Sequence, residues 1–214
     1  MTCSEVKVLV PPQALDRLTE AFALDAPRER IVTFFETPER ELHPRGVILR
    51  LRAKASGKKA ETTVKLRGYT LAVDVVELLA GMRRLKGEHD CSEATCVAAV
   101  SLANDLDDLP ELARPRRLFS QGQRALASWG DPVPWSRVRA VGPIAASTWK
   151  VEEHELTIEH WRVGADALVE VSGRTNSEPE EAMARLRAQL AALGVDGAGL
   201  PGGKTSWALD RLLP

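Results

Sequence analysis

Several short segments of this sequence place charged side chains at every second position, the spacing that gathers residues on one face of a β-strand. Arg50 and Arg52 in GVILRLRAK (46–54), Lys65 and Arg67 in TTVKLRG (62–68), and Arg137 and Arg139 in SRVRAV (136–141) are the cationic sets. The acidic sets are Glu5 beside Lys7 near the start, Glu88 and Asp90 in RLKGEHD, and the single carboxylates Glu159 and Glu170. On the opposite faces stand apolar residues such as Val64 and Leu66, or Val169 and Val171. An open sheet with one wetted side would also sort charge from apolar residues. The repeated Arg-x-Arg and Lys-x-Arg pairs favour anion binding, because the guanidinium fork matches the oxygens of phosphate or carboxylate. Carboxylates on facing strands suit Mg²⁺ or Mn²⁺, hard cations that take oxygen ligands and bridge to phosphates.

The elements that must position these residues can be read from the same periodicity. Residues 3–10 alternate as a strand, and Pro11-Pro12 ends it and opens a helix through about Leu24, with Leu15, Leu18 and Phe22 on one stripe. RIVTFFET reads as a strand stopped by TPERELHPRG, and the segments at 46–54 and 62–68 read as a hairpin. The stretch 71–82 is ambiguous, and RLKGEHD alternates again. Residues 92–129 are rich in Ala and Leu, with a Ser92 start signal and Pro110 and Pro115 as breaks, and are expected to form a helical insertion. Shorter strands recur at SRVRAV, STWKV, LTIEHW and ALVEVSGR. A Ser177-x-x-Glu180 capping box is expected to start a helix that Gly194 stops, and a glycine-rich turn leads to a short terminal helix. Seven or eight strands with few helices between them favour an antiparallel sheet or barrel of α+β type with surrounding helices over a parallel βαβ fold, as a single domain over 1–214. Closing such a sheet would turn the charged faces toward a shared interior.

The 214 residues carry 29 Lys and Arg against 30 Asp and Glu, so no global basic field draws the chain onto nucleic acid or an anionic membrane. The start lacks the pattern of a signal peptide and no apolar run has the length of a membrane span, which leads to the expectation of a cytoplasmic protein without a membrane partner. Cys3, Cys91 and Cys96 are an odd number without zinc-site spacing and are expected to be reduced, partly buried thiols. The sequence leaves the oligomeric state open.

The segments EVKVLV, FFETPERELHPRGVILRLRAK, TTVKLRG, KGEHD, RVRAV and LVEVSGRT, in that order, resemble the successive strands of the CYTH superfamily, the triphosphate tunnel metalloenzymes. The resemblance implies an eight-stranded antiparallel tunnel and action on a small-molecule triphosphate or polyphosphate, assisted by Mg²⁺ or Mn²⁺. By matching position it implies that Lys7, Arg50, Arg52, Lys65, Arg67, Arg137, Arg139 and Lys204 grip phosphates. Glu5, Glu88, Asp90 and Glu170 are implied as metal ligands, with Glu5, Glu170 and Lys65 as catalytic residues. Two departures bear on catalysis: the opening Glu-x-Glu-x-Lys is here Cys3-x-Glu5-x-Lys7, and a later Glu-x-Glu is here Glu170-x-Ser172. They leave carboxylates for one metal ion and open a second reading, a phosphate-binding sensor or accessory protein that does not cleave its ligand. Nothing in the sequence marks a base-recognition pocket for nucleotide cyclisation.

Other signals carry less. AGLPGGKTSW lacks a glycine required of a phosphate loop, has Ala198 there, and follows a helix; its expected role is a turn that delivers Lys204. His43, His89, His154 and His160 lack metal-ligand spacing, and the five tryptophans are scattered.

Overall fold

The structure, a computed structural model, describes residues 3–57, 59–68, 84–108, 111–197 and 203–213. The ambiguous stretch 71–82 and most of the glycine-rich turn lie outside the described residues. Nine strands are described: β1 (Cys3–Val10), β2 (Arg28–Glu36), β3 (Val47–Lys54), β4 (Ala60–Arg67), β5 (Leu85–Ser92), β6 (Cys96–Leu106), β7 (Arg139–Val151), β8 (Leu156–Val163) and β9 (Asp166–Thr175). The described α-helices are α1 (Ala14–Ala21), α2 (Pro115–Leu118), α3 (Gln121–Ala127), α4 (Pro179–Ala192) and α5 (Lys204–Leu212). The hydrogen-bonded strand order is β1-β5-β6-β4-β3-β2-β7-β8-β9, a closed barrel.

The barrel is mixed, with nine strands, and corrects the expectation of eight antiparallel ones. β1 pairs antiparallel with β9 but parallel with β5, from Cys3 opposite Glu88 to Lys7 opposite Ser92. The additional strand is β6, from a segment expected to be helical. CVAAVSLANDL has helix-compatible composition, yet its register against β4, from Ala60 opposite Leu106 to Arg67 opposite Ala99, satisfies an otherwise unpaired strand edge. Among the described residues of the expected insertion, helix is confined to α2 and α3. The β5–β6 turn also brings Cys91 and Cys96 together as a disulfide, which corrects the expectation of separate thiols. Five residues around a tight turn are cross-strand neighbours, whereas on a helix they point apart.

By contacts the chain divides into unit 1 (Met1–Arg30, Glu88–Cys96, Ile144–Arg211) and unit 2 (Ile31–Gly87, Val97–Pro143, Leu212–Pro214). In unit 1, Val6, Val8 and Val10 of β1, Ile158 of β8, and Val169 and Val171 of β9 form one apolar cluster with Leu18 of α1 and Ala182, Met183, Leu186 and Leu190 of α4. The α4 positions recur every three to four residues, so one stripe of that helix faces the sheet. Each such buried Leu is worth about 1.5–3 kcal/mol relative to exposure. α4 begins at Pro179 with Glu178 as its N-cap residue and makes no side-chain cap bond. The expected Ser177 capping box is replaced by Ser177 bonded to Thr175 and Arg185.

In unit 2 the core joins Val47, Leu49 and Leu51 of β3, Val64 and Leu66 of β4, Val100 and Leu102 of β6, Phe35 of β2, and Phe119 and Leu126 beside the short helices. Gln123 fixes α3 to this sheet: its Nε2 donates to the carbonyls of Thr62 and Leu102, both at 3.0 Å, and its Oε1 accepts from Thr62 Oγ1 at 3.0 Å. With Ser120 it also closes a capping box at the start of α3. In both units the apolar face of the strands is spent on these cores. The charged face is left for the site.

Candidate functional site

Alternation in β1 puts Glu5 and Lys7 on the face opposite Val6 and Val8, and the parallel register sets Glu5 directly opposite Asp90. Like charges facing each other across strands repel. Lys7 resolves the conflict: its Nζ lies 2.7 Å from Asp90 Oδ1 and 2.9 Å from Glu5 Oε2. Burial alone would lower the Lys7 ammonium, but the carboxylates of Glu170, Glu5 and Asp90 outweigh it and hold Lys7 well above the ordinary lysine value.

A second pair repeats the arrangement. β8 and β9 place Glu159 opposite Glu170, and both carboxylates are buried, at 8% and 3% exposure. Lys204, the first residue of α5, donates from Nζ to Glu170 Oε1 at 2.5 Å and to Glu159 Oε2. The same ammonium stands 5.2 Å from the centre of the buried Trp161 ring, a cation–π contact. In unit 1 four carboxylates are thus gathered on two lysines. Ser172, at the place of the missing carboxylate, lies opposite Lys7, and Arg174 lies opposite Glu5. Arg174 is exposed and was not among the expected site residues, although Glu170, Ser172 and Arg174 alternate in sequence. Glu88 is half-buried two residues before Asp90.

Unit 2 carries the cationic face. Arg50 and Arg52 of β3 and Lys65 and Arg67 of β4 all lie opposite the core, half-buried, with Ile48 in register with Lys65, Arg50 with Thr63 and Arg52 with Glu61. The Nε atoms of Arg50 and Arg67 are buried. These four positions fall together as the alternation required.

Arg137 and Arg139 do not. The expected strand over 136–141 begins only at Arg139, because the chain is still turning at residues 135–137. Val138 is the residue buried in the core, and both arginines are exposed. Arg137 pairs with Glu39 at 2.6 Å and Glu41 at 3.0 Å, while Arg139 Nη1 donates to the carbonyls of Ser136 and Val138.

A residue that the sequence reading passed over organises unit 2. Glu36, buried at the end of β2, accepts from the backbone N–H groups of Thr37 at 2.8 Å, Leu42 at 2.9 Å and His43 at 2.8 Å. A carboxylate just before Thr-Pro, where a strand stops, is the signal that could have found it.

For Mg²⁺ or Mn²⁺, the carboxylate oxygens of unit 1 are the donor type that hard divalent cations take. The carboxylates come, however, as two pairs, each gathered on a lysine. Among the described residues no group of three or more His, Cys, Asp or Glu is arranged as a metal site.

No protein-family model matches the chain, and no curated protein matches it. Solved structures do. A candidate adenylyl cyclase from Hippeastrum, HpAC1, described as having a dominant triphosphatase activity, matches at TM-score 0.65 and 19% identity over 100% of this chain and 98% of that one. A candidate adenylate cyclase from Bacillus halodurans matches at TM-score 0.66 and 15% identity over 97% and 99% of the two chains. Another from Vibrio parahaemolyticus matches at TM-score 0.54 and 15% identity over 98% and 99%. The chain has the triphosphate tunnel fold. Likeness to this fold covers the whole length, as the order of the strand motifs implied. No helix among the described residues is long and apolar enough to cross a membrane.

Proposed function

We propose that this tunnel-fold protein hydrolyses a phosphoanhydride bond of a triphosphate-containing or polyphosphate substrate with the help of Mg²⁺ or Mn²⁺. The observation that carries the reading is the set of four carboxylates held by Lys7 and Lys204 in unit 1, in a fold shared with a protein described as a triphosphatase. In this reading Arg50, Arg52, Lys65 and Arg67 bind phosphate oxygens, using bidentate guanidinium contacts and one point charge. Glu5, Asp90, Glu159 and Glu170 would hold the metal, which when bound neutralises charge developing on the phosphates. Lys204 must leave the Glu159–Glu170 pair for those two residues to take part. Its ammonium is then available to a phosphate oxygen, and a carboxylate of the set orients the attacking water.

The lysine-filled carboxylate pairs favour one second reading, a protein that binds a polyanion without cleaving it. Phosphate release from tripolyphosphate, thiamine triphosphate and nucleoside triphosphates, with and without divalent ion, separates the two. Hydrolysis predicts metal-dependent release that Glu5→Gln lowers by at least about 100-fold, the scale of losing an electrostatic catalytic group, with an unchanged unfolding midpoint. Binding by calorimetry in chelator with no release under any condition would establish the second reading instead.

A further inference from the structure

Glu170, Ser172 and Arg174 follow one another on the site face of β9, and the last is open to water. Glu170 and Ser172 are buried, whereas Arg174 is exposed. The register with β1 sets Ser172 opposite Lys7 and Arg174 opposite Glu5. Residues directly opposite in an antiparallel pair point to the same side, so the alternation of β9 and its pairing with β1 agree on the face that Arg174 takes.

An arginine in this place would ordinarily form a cross-strand pair with the carboxylate opposite. Here Lys7 has taken Glu5, at 2.9 Å, together with Asp90, at 2.7 Å. Among the described residues no hydrogen bond or ion pair holds the Arg174 guanidinium. A cation is therefore left over beside the carboxylate set.

The set opens to solvent at this end. Side-chain exposure rises from 7% at Asp90 through 15% at Lys7 to 24% at Glu5, and Arg174, opposite Glu5, is one residue from the end of β9. An anion held among these residues would present its outer end to Arg174. A terminal phosphoryl suits that position, because it offers three acceptor oxygens and nearly two negative charges. Those oxygens match the guanidinium fork, and a phosphoryl bonded on both sides has fewer of them.

We propose that Arg174 is a specificity-determining residue that binds the unesterified terminal phosphoryl of the substrate. The proposal rests on the triphosphate reading above and adds to it the residue that reads the end of the phosphate chain.

The test is titration calorimetry in chelator on the full chain, Arg174→Gln and Arg174→Lys, with tripolyphosphate and with trimetaphosphate, a cyclic phosphate that has no terminal phosphoryl. Where the unaltered chain binds only with Mg²⁺ or Mn²⁺, KM for phosphate release carries the same comparison. Arg174→Gln should weaken tripolyphosphate about tenfold, the scale of one charge-assisted hydrogen bond. Arg174→Lys, which keeps the charge and loses the fork, should weaken it about threefold. Trimetaphosphate should bind the unaltered chain more weakly than tripolyphosphate and change less than about twofold in Arg174→Gln. Without ligand, the unfolding midpoint of both variants should stay within about 2 °C of the parent, as for an exposed side chain with no partner. A change for tripolyphosphate below about twofold in Arg174→Gln, an equal loss for ring and chain, or a midpoint lowered by more than about 2 °C, the mark of a structural pair with Glu5, would overturn the assignment and leave the triphosphate reading standing. If tripolyphosphate neither binds the unaltered chain nor releases phosphate with either metal, the triphosphate reading fails and the assignment with it.

Discussion

Replacing Lys204 by Met tests whether the unit 1 carboxylates depend on an internal cation. Methionine keeps the length of the side chain and an apolar contact to Trp161, and so removes chiefly the charge. The Lys204 side chain is 13% exposed and the side chains of its partners Glu159 and Glu170 are 10% and 3% exposed, so bulk water cannot replace the ammonium. Removing one partner of a buried pair costs about 3–5 kcal/mol, because the remaining charge is left uncompensated. Here two carboxylates in register would face each other. For a chain of this size such a loss lowers the unfolding midpoint by roughly 10 °C, at about 2–4 °C per kcal/mol. The assay is thermal unfolding in chelator at neutral pH. The second substitution Glu159→Gln, made in the Lys204→Met background, should recover more than half of the loss, because an amide can donate to Glu170. A midpoint for Lys204→Met within about 2 °C of the parent at neutral pH would refute the reasoning, since that is the behaviour of a solvated surface pair.

Two further predictions follow from single residues. Glu36→Ala removes an acceptor from three backbone N–H groups, two of them on the fully buried Thr37 and Leu42, and should cost about 3–5 kcal/mol at about 1–3 kcal/mol per stranded donor; chemical denaturation reads this, and a loss below about 1 kcal/mol would contradict the clamp. Burial, then the Arg162 guanidinium, holds the His160 imidazole below its ordinary value, with Glu29 opposing in part. A folded value below the unfolded one means the contribution is present above about pH 6.5 and lost as pH falls through the folded value. His160→Gln should therefore flatten the fall in unfolding midpoint on acidification below about pH 6.5, and an unchanged slope would discount the residue.

The local pattern made much of this protein legible. Alternation alone placed Arg50, Arg52, Lys65 and Arg67 on one face and Val64 and Leu66 on the other, because a strand turns successive side chains to opposite sides whatever its partner. The same rule located β1, β5, β8 and β9, and the start signal at Ser177 with the stop at Gly194 bracketed α4, although the capping box itself is not formed. Arg137 and Arg139 mark the limit of that rule: two-residue spacing is informative only inside a strand, and theirs lies where a turn gives way to β7.

What pairs with what was settled by tertiary structure. Glu5 faces Asp90 only through the register of β1 with β5, strands far apart in sequence, and Glu159 faces Glu170 through the register of the β8–β9 hairpin. CVAAVSLANDL became β6 because β4 offered it a ladder of backbone hydrogen bonds, which outweighed its helical composition. Lys204 reached two carboxylates on distant strands from the first turn of α5. Side-chain periodicity is a property of each segment, so the sequence by itself determines which residues share a face. Register is a property of the packed whole, and it decides which charges on that face become partners.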